Sequence, residues 1–170
     1  FNNDDLLIIW LPCGDFKKDQ LIISQLHDWF ERRLWIGFHN LLNGTETSHL
    51  SYLQKLSLLW KVNVVACGDV HMHKKDRQPL QDVLTAIKQK CSIMELGKSR
   101  YPNSERYLRK IEYLKNIYPK ELMRETINIS NLCNFSLNEL RYEYPIEVVP
   151  KNLTSKEYLS FLVHQGAKKR

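Results

Sequence analysis

Hydrophobic and polar positions change their rhythm along the chain. The first third alternates short apolar runs with stretches whose apolar residues recur every three or four positions. "LLIIW" (6–10) is continuous and apolar, which predicts a strand buried on both faces. Residues 19–31 place Ile22, Leu26, Trp29 and Phe30 on one helical face. "RLWIGF" (33–38) predicts a second strand. Leu50, Leu53, Leu56, Leu59 and Trp60 stand at helical spacing within 47–60, a segment entered through "NGTETS". "VNVVAC" (62–67) is rich in β-branched residues and predicts a third strand. The order β-α-β-α-β with short connections predicts an α/β fold with a parallel sheet, either open or closed into a barrel.

After residue 75 the rhythm becomes helical. Residues 77–90 would bury Leu80, Val83, Leu84 and Ile87. Residues 104–118 open on a Ser cap and stack Tyr107, Leu108, Ile111 and Leu114. Residues 119–133 open on a proline, whose missing N–H is not needed at a helix start. "NFSLNELRYEYPIEVVPKN" has no clear period and two prolines, and reads as an extended connector. "TSKEYLSFLVHQG" carries a capping box, Thr154 with Glu157, and Gly166 suits a helix stop. There is no internal repeat.

Composition narrows the class. With 43% apolar residues in 170, the chain can bury a core. No apolar run approaches the roughly 20 residues of a membrane span, and the first residues lack a basic signal region, so a cytoplasmic protein without membrane contact is expected. Cys13, Cys67, Cys91 and Cys133 form no CxxC pair and read as reduced thiols. The chain starts without Met and enters "LLIIW" almost at once, and it ends on "AKKR" after a helical pattern; both ends look cut from something longer. Residues 1–67 hold six Lys/Arg against seven Asp/Glu, a net of −1; residues 68–170 hold nineteen against twelve, a net of +7. A basic second half suits nucleic acid, or ordinary solvated helix surface.

The candidate chemistry follows the third strand in "ACGDVHMHKK". Parallel α/β folds gather their sites at carboxyl ends of strands. On an extended backbone Asp69 and His71 point to the same side, so they can present one oxygen and one nitrogen to a divalent metal. Two ligands do not complete a site; a capping carboxylate beside a surface imidazole is the alternative. His39 follows the second strand and is a weaker candidate, as a surface or satisfied histidine would look the same. Lys74, Lys75, Arg77 and Arg141 are candidate nucleic-acid contacts, and Tyr142 and Tyr144 beside Arg141 could stack on bases or pin a loop. No Gly-rich phosphate loop or local nucleophile–base pair is present, and no catalytic residue is assigned.

"ACGDVHMH", "PLQDVLTAIKQK" and residues 101–150 resemble the bacterial C-family DNA polymerases of the alpha-subunit type, most closely their error-prone, damage-induced branch. The resemblance is densest over 62–150. It implies a PHP-type distorted (β/α)7 barrel, of which 1–75 would be the later βα units and 76–145 the helical part. Residues 146–170 would be a connector and the start of the polymerase palm module. It implies a late Asp-x-His of a metal cluster at Asp69 and His71, for zinc or manganese, with Mg²⁺ serving a polymerase module beyond this segment. Against the pattern E-x-x-x-H, Gly37 falls at the Glu and Leu41 at the His, so the implied site is incomplete and a supporting role is expected of the domain. DNA and other replisome or mutasome proteins are the implied partners. A metal-dependent phosphoesterase or exonuclease and a non-enzymatic docking module are the alternatives.

Overall fold

The computed structural model describes residues 5–140, 148–150 and 152–169. The chain divides into two compact units, Phe1–Cys133 and Asn134–Arg170.

The first unit is built on three parallel strands in the order β1 (Ile8–Trp10), β2 (Leu34–His39), β3 (Val64–Cys67). Trp10 stands opposite Ile36, and Ile36 opposite Val64. Helix α1 (Phe16–Phe30) links β1 to β2, and α2 (Glu46–Trp60) links β2 to β3. Ile36 and Phe38, two apart on β2, project to one face. There they join a buried cluster with Ile23 and Phe30 of α1 and Leu53 and Leu56 of α2. Four of these (Ile23, Ile36, Leu53, Leu56) have no exposed surface. Central β2 is almost wholly buried, as a strand between two neighbours with continuous apolar sequence should be.

Helices α3 (Gln78–Gln89), α4 (Ile111–Ile117) and α5 (Lys120–Leu132) follow. Helix α5 lies against β3, and Leu122 with Tyr118 completes the buried cluster. The second unit contains a single 3-10 turn, Leu137–Glu139, and α6 (Ser155–Lys169) among its described residues. The Thr154–Glu157 capping box is present in both directions, at 2.8 Å for Thr154 N to Glu157 Oε2 and 3.3 Å for the return bond.

The expected parallel α/β sheet is present, and of the two forms expected it is the open one, three strands among the described residues. Other expectations are corrected. β1 is an edge strand with Ile9 exposed, so it is not buried on both faces. On α1 the inward stripe is Ile23, Leu26 and Phe30; Ile22 and Trp29 lie one step round the helix and face solvent. Leu59 is likewise exposed.

Residues 104–118 are helical only from Ile111, because 106–108 give their backbone groups to a different partner. His71 N and Met72 N donate to Arg106 O, and Leu108 N donates to Met72 O. The stripe Leu80, Val83, Leu84, Ile87 of α3 is exposed; the inward residues are Ala86 and Asp82, the latter anchored by Arg100 Nε at 2.7 Å. Helix α6 runs through Gly166 to Lys169, so that glycine, unfavourable inside a helix, does not stop it.

Candidate functional site

The carboxyl end of β3 is where the candidate residues meet. After Cys67 and Gly68 the backbone turns at Asp69, which has a φ of 45°. This left-handed conformation is strained for most residues and tolerated best by Asn and Asp, whose short polar side chains bond locally. The extended backbone expected across 69–71 is therefore absent, yet the two side chains still meet: His71 Nε2 lies 3.1 Å from Asp69 Oδ1. The second carboxylate oxygen accepts from Arg106 Nε at 2.7 Å. The Arg106 guanidinium lies over the Tyr101 ring, 4.1 Å from its centre, and Tyr101 Oη is 3.2 Å from His71 Nε2. Asp69, His71, Tyr101 and Arg106 thus form one closed circuit at the strand end.

Charge follows from this arrangement. Burial alone would push the Asp69 carboxyl up. The hydrogen bond and positive charge of Arg106, then the His71 bond, outweigh burial and hold it below the ordinary carboxylate range. His39, at the end of β2 and half-buried, has its imidazole pushed below the ordinary value by burial; the Asp69 charge opposes this and that of Arg106 adds to it.

The residues present do not fit a divalent metal as they stand. Both oxygens of Asp69 are engaged, one of them by a fixed positive charge that would repel a cation. Among the described residues no group of three or more His, Cys, Asp or Glu side chains converges. At Gly37 a Cβ would come within 2.5 Å of Leu11 Cδ2 and 3.1 Å of both Cys67 Sγ and Ile9 Cγ2. Position 37 therefore has no room for a longer side chain without displacing these neighbours. Leu41 is buried and apolar.

A second polar lock joins the ends of β2 and β3 to α4. Tyr118 Oη donates to Cys67 O at 2.6 Å and accepts from Asn40 N at 2.8 Å. Arg109 donates to Asn40 O at 2.7 Å and to Tyr118 Oη at 3.3 Å, and Asn40 Nδ2 donates to Ile117 O at 2.7 Å. These groups are buried, so each bond satisfies a group that would otherwise be orphaned. The lock holds the floor on which the Asp69 circuit stands.

Of the candidate nucleic-acid contacts, Lys74, Lys75 and Arg77 are exposed around the short turn Lys75–Arg77. Lys75 Nζ is bound to the buried Glu105 at 2.7 Å, a pairing that raises its pKa. Arg141, with Tyr142 and Tyr144, lies outside the described residues. Sequence reasoning missed Tyr101, Glu105, Arg106 and Arg109. They stand some 30 to 40 residues beyond the third strand's end, and no local pattern marks them.

No family model matches the chain. Curated proteins do. Error-prone DNA polymerase of Methylococcus capsulatus is 45% identical over 167 residues, that of Saccharophagus degradans 41% over 170, and that of Pseudomonas aeruginosa 39% over 165. These matches cover 98%, 100% and 97% of this chain and 16% of each relative. Along nearly all of its residues the chain is homologous to one segment of the error-prone DNA polymerases, and it spans about a sixth of their length.

Proposed function

We propose that this chain is the part of an error-prone DNA polymerase that holds the later half of a PHP-type domain and the connection toward the polymerase module, and that the domain supports the polymerase rather than acting as a metal enzyme. The parent protein would extend a primer on a DNA template in the cytoplasm during lesion bypass and repair. Its Mg²⁺-binding carboxylates would lie outside these 170 residues. DNA, and other replisome or mutasome proteins, would be its partners. The match to error-prone polymerases over nearly the whole chain supports the parentage.

The observation that carries the supporting role is the Arg106–Asp69 contact at 2.7 Å. A guanidinium fixed on Asp69 supplies the positive charge that a metal would otherwise bring to a strand-end carboxylate, and it does so with no open coordination position. Arg106 thus acts as an internal cation, joining the Met72–Tyr107 bridge to the strand end. A metal-dependent phosphoesterase or exonuclease would need further ligands, and Gly37 and Leu41 supply none.

Elemental mass spectrometry of the purified full-length protein, beside an Asp69→Ala/His71→Ala variant, tests this reading. The expected result is no stoichiometric zinc or manganese that depends on these two residues, with primer extension retained in both proteins. Bound metal that disappears in the variant, with nuclease activity disappearing alongside it, would sink the scaffold reading. Primer extension by the 170-residue chain alone would contradict the division of labour.

A further inference from the structure

Beside the Asp69 circuit two extended segments are clipped together. His71 N and Met72 N reach Arg106 O at 2.9 and 3.0 Å, and Leu108 N reaches Met72 O at 3.0 Å, so Met72 and Tyr107 form an isolated parallel bridge. Where the segments part, an open cleft of about 420 Å³ lies between them. Its lining includes His73, Lys74 and Lys75 from one segment and Tyr107, Lys110 and Tyr113 from the other. That volume falls within the roughly 300–1,000 Å³ of clefts that bind small ligands.

The chemistry of the lining is uneven. Glu105 engages Lys75, and that pair is spent on itself. Lys74 and Lys110 have no carboxylate partner among the described residues. Two tyrosines, Tyr107 and Tyr113, line the same cleft. Ammonium groups without acid partners attract phosphate, and aromatic rings lining the same cleft can stack on unpaired bases. A duplex would present phosphates to the lysines and leave the rings unused. An acidic peptide would present carboxylates to the lysines and likewise leave the rings unused.

We propose that this cleft binds single-stranded DNA, with backbone phosphates on Lys74 and Lys110 and an unpaired base against Tyr107 and Tyr113. The assignment rests on the polymerase reading of the parent protein and deepens it. It also redraws the basic cluster seen in sequence. Lys75 is already neutralised and Arg77 does not line the cleft, while Tyr107, Lys110 and Tyr113 join it from more than 30 residues away.

The test is photocrosslinking of the full-length protein to an oligothymidylate strand carrying 5-iodouracil, with adducts mapped by mass spectrometry. Adducts are expected on Tyr107, Tyr113 or His73. In Lys74→Ala/Lys110→Ala, which changes only exposed side chains, their yield should fall about tenfold at moderate salt. The slope of log affinity for the cleft against log salt should become shallower by about 0.7 for each phosphate that a lysine no longer neutralises. Tyr107→Leu and Tyr113→Leu, each checked for an unchanged melting temperature, should lower the yield at the neighbouring positions by a similar factor.

A cleft free of adducts, while the same protein crosslinks elsewhere and extends primers, overturns the site and leaves the polymerase reading standing. No adducts anywhere, with no primer extension, overturns both. Adducts that persist undiminished in the lysine variant overturn the phosphate contacts. Protection of the cleft peptides by polyglutamate but not by DNA would assign it to an acidic protein instead, and the proposal would fall.

Discussion

Two aspartates, Asp19 and Asp69, are held in opposite ways. Asp19, in the first turn of α1, has no exposed surface. Its oxygens accept from Cys13 N at 3.0 Å, Gly14 N at 2.8 Å and Tyr52 Oη at 2.7 Å. Burial pushes its carboxyl up, and the Tyr52 bond with the two loop amides brings it below the ordinary value. Asp69 also sits below the ordinary value, but a guanidinium holds it there, and nearly a third of its side chain is exposed. Asp19 is an anchor made from neutral dipoles within one loop and its neighbouring helix. Asp69 is half of an ion pair between segments 37 residues apart. A lowered pKa alone therefore does not identify a reactive group; the nature of the partner separates a loop anchor from a charge-compensated strand end.

The comparison can be broken most strongly at Asp19. Asp19→Ala orphans three donors, two of them loop amides, and should destabilise the chain by about 3 kcal/mol or more in urea unfolding. A loss below about 1 kcal/mol would mean that solvent reaches the loop. Next comes Arg106→Leu, expected to cost about 1–3 kcal/mol because it strips Asp69 of its counter-charge. Adding Asp69→Asn should recover part of that loss, and the double-mutant cycle gives the coupling.

Salt separates the two carboxylates further. The coupling of Asp69 to Arg106 should shrink in 1 M NaCl, whereas the penalty of Asp19→Ala should hold, because its partners are neutral. Acid treats them alike. Both carboxyls have folded pKa values below the unfolded one, so the stability they add is present above about pH 4 and is lost as pH falls through the folded value. The wild-type melting temperature should therefore drop more steeply below pH 4 than that of Asp19→Asn. The smallest effect is expected on α3. Ile87→Lys should change stability by no more than about 0.5 kcal/mol, because Ile87 is 67% exposed.

What was legible in the sequence was what is local. The three strands and α1, α2 and α5 follow from apolar runs and periods that span fewer than 20 residues. Asp69 and His71 were legible as a pair because they stand two residues apart, although the turn at Asp69 replaces the extended backbone that would have explained it. Arg106, Tyr101 and Tyr118 were not legible, because their roles depend on contacts across 30 to 78 residues. The segment around Tyr107 shows the same limit from the other side. Its helical spacing is real, and the bridge to Met72 overrides it. On α3 the apolar stripe is present in the sequence, but periodicity does not name the surface that covers it, and in this unit nothing described does.

Gly37 carries a steric consequence. A side chain there would have to share space with Leu11, Ile9 and Cys67, three residues on two other stretches of chain. Leu11 could swing aside, but Ile9 and Cys67 are strand residues, held in register with β2. An acidic side chain introduced at position 37 would therefore need Leu11 to rotate away and Ile9 and Cys67 each to yield by a few tenths of an ångström. The glycine works as a gauge of how closely the flanking side chains close over the middle strand.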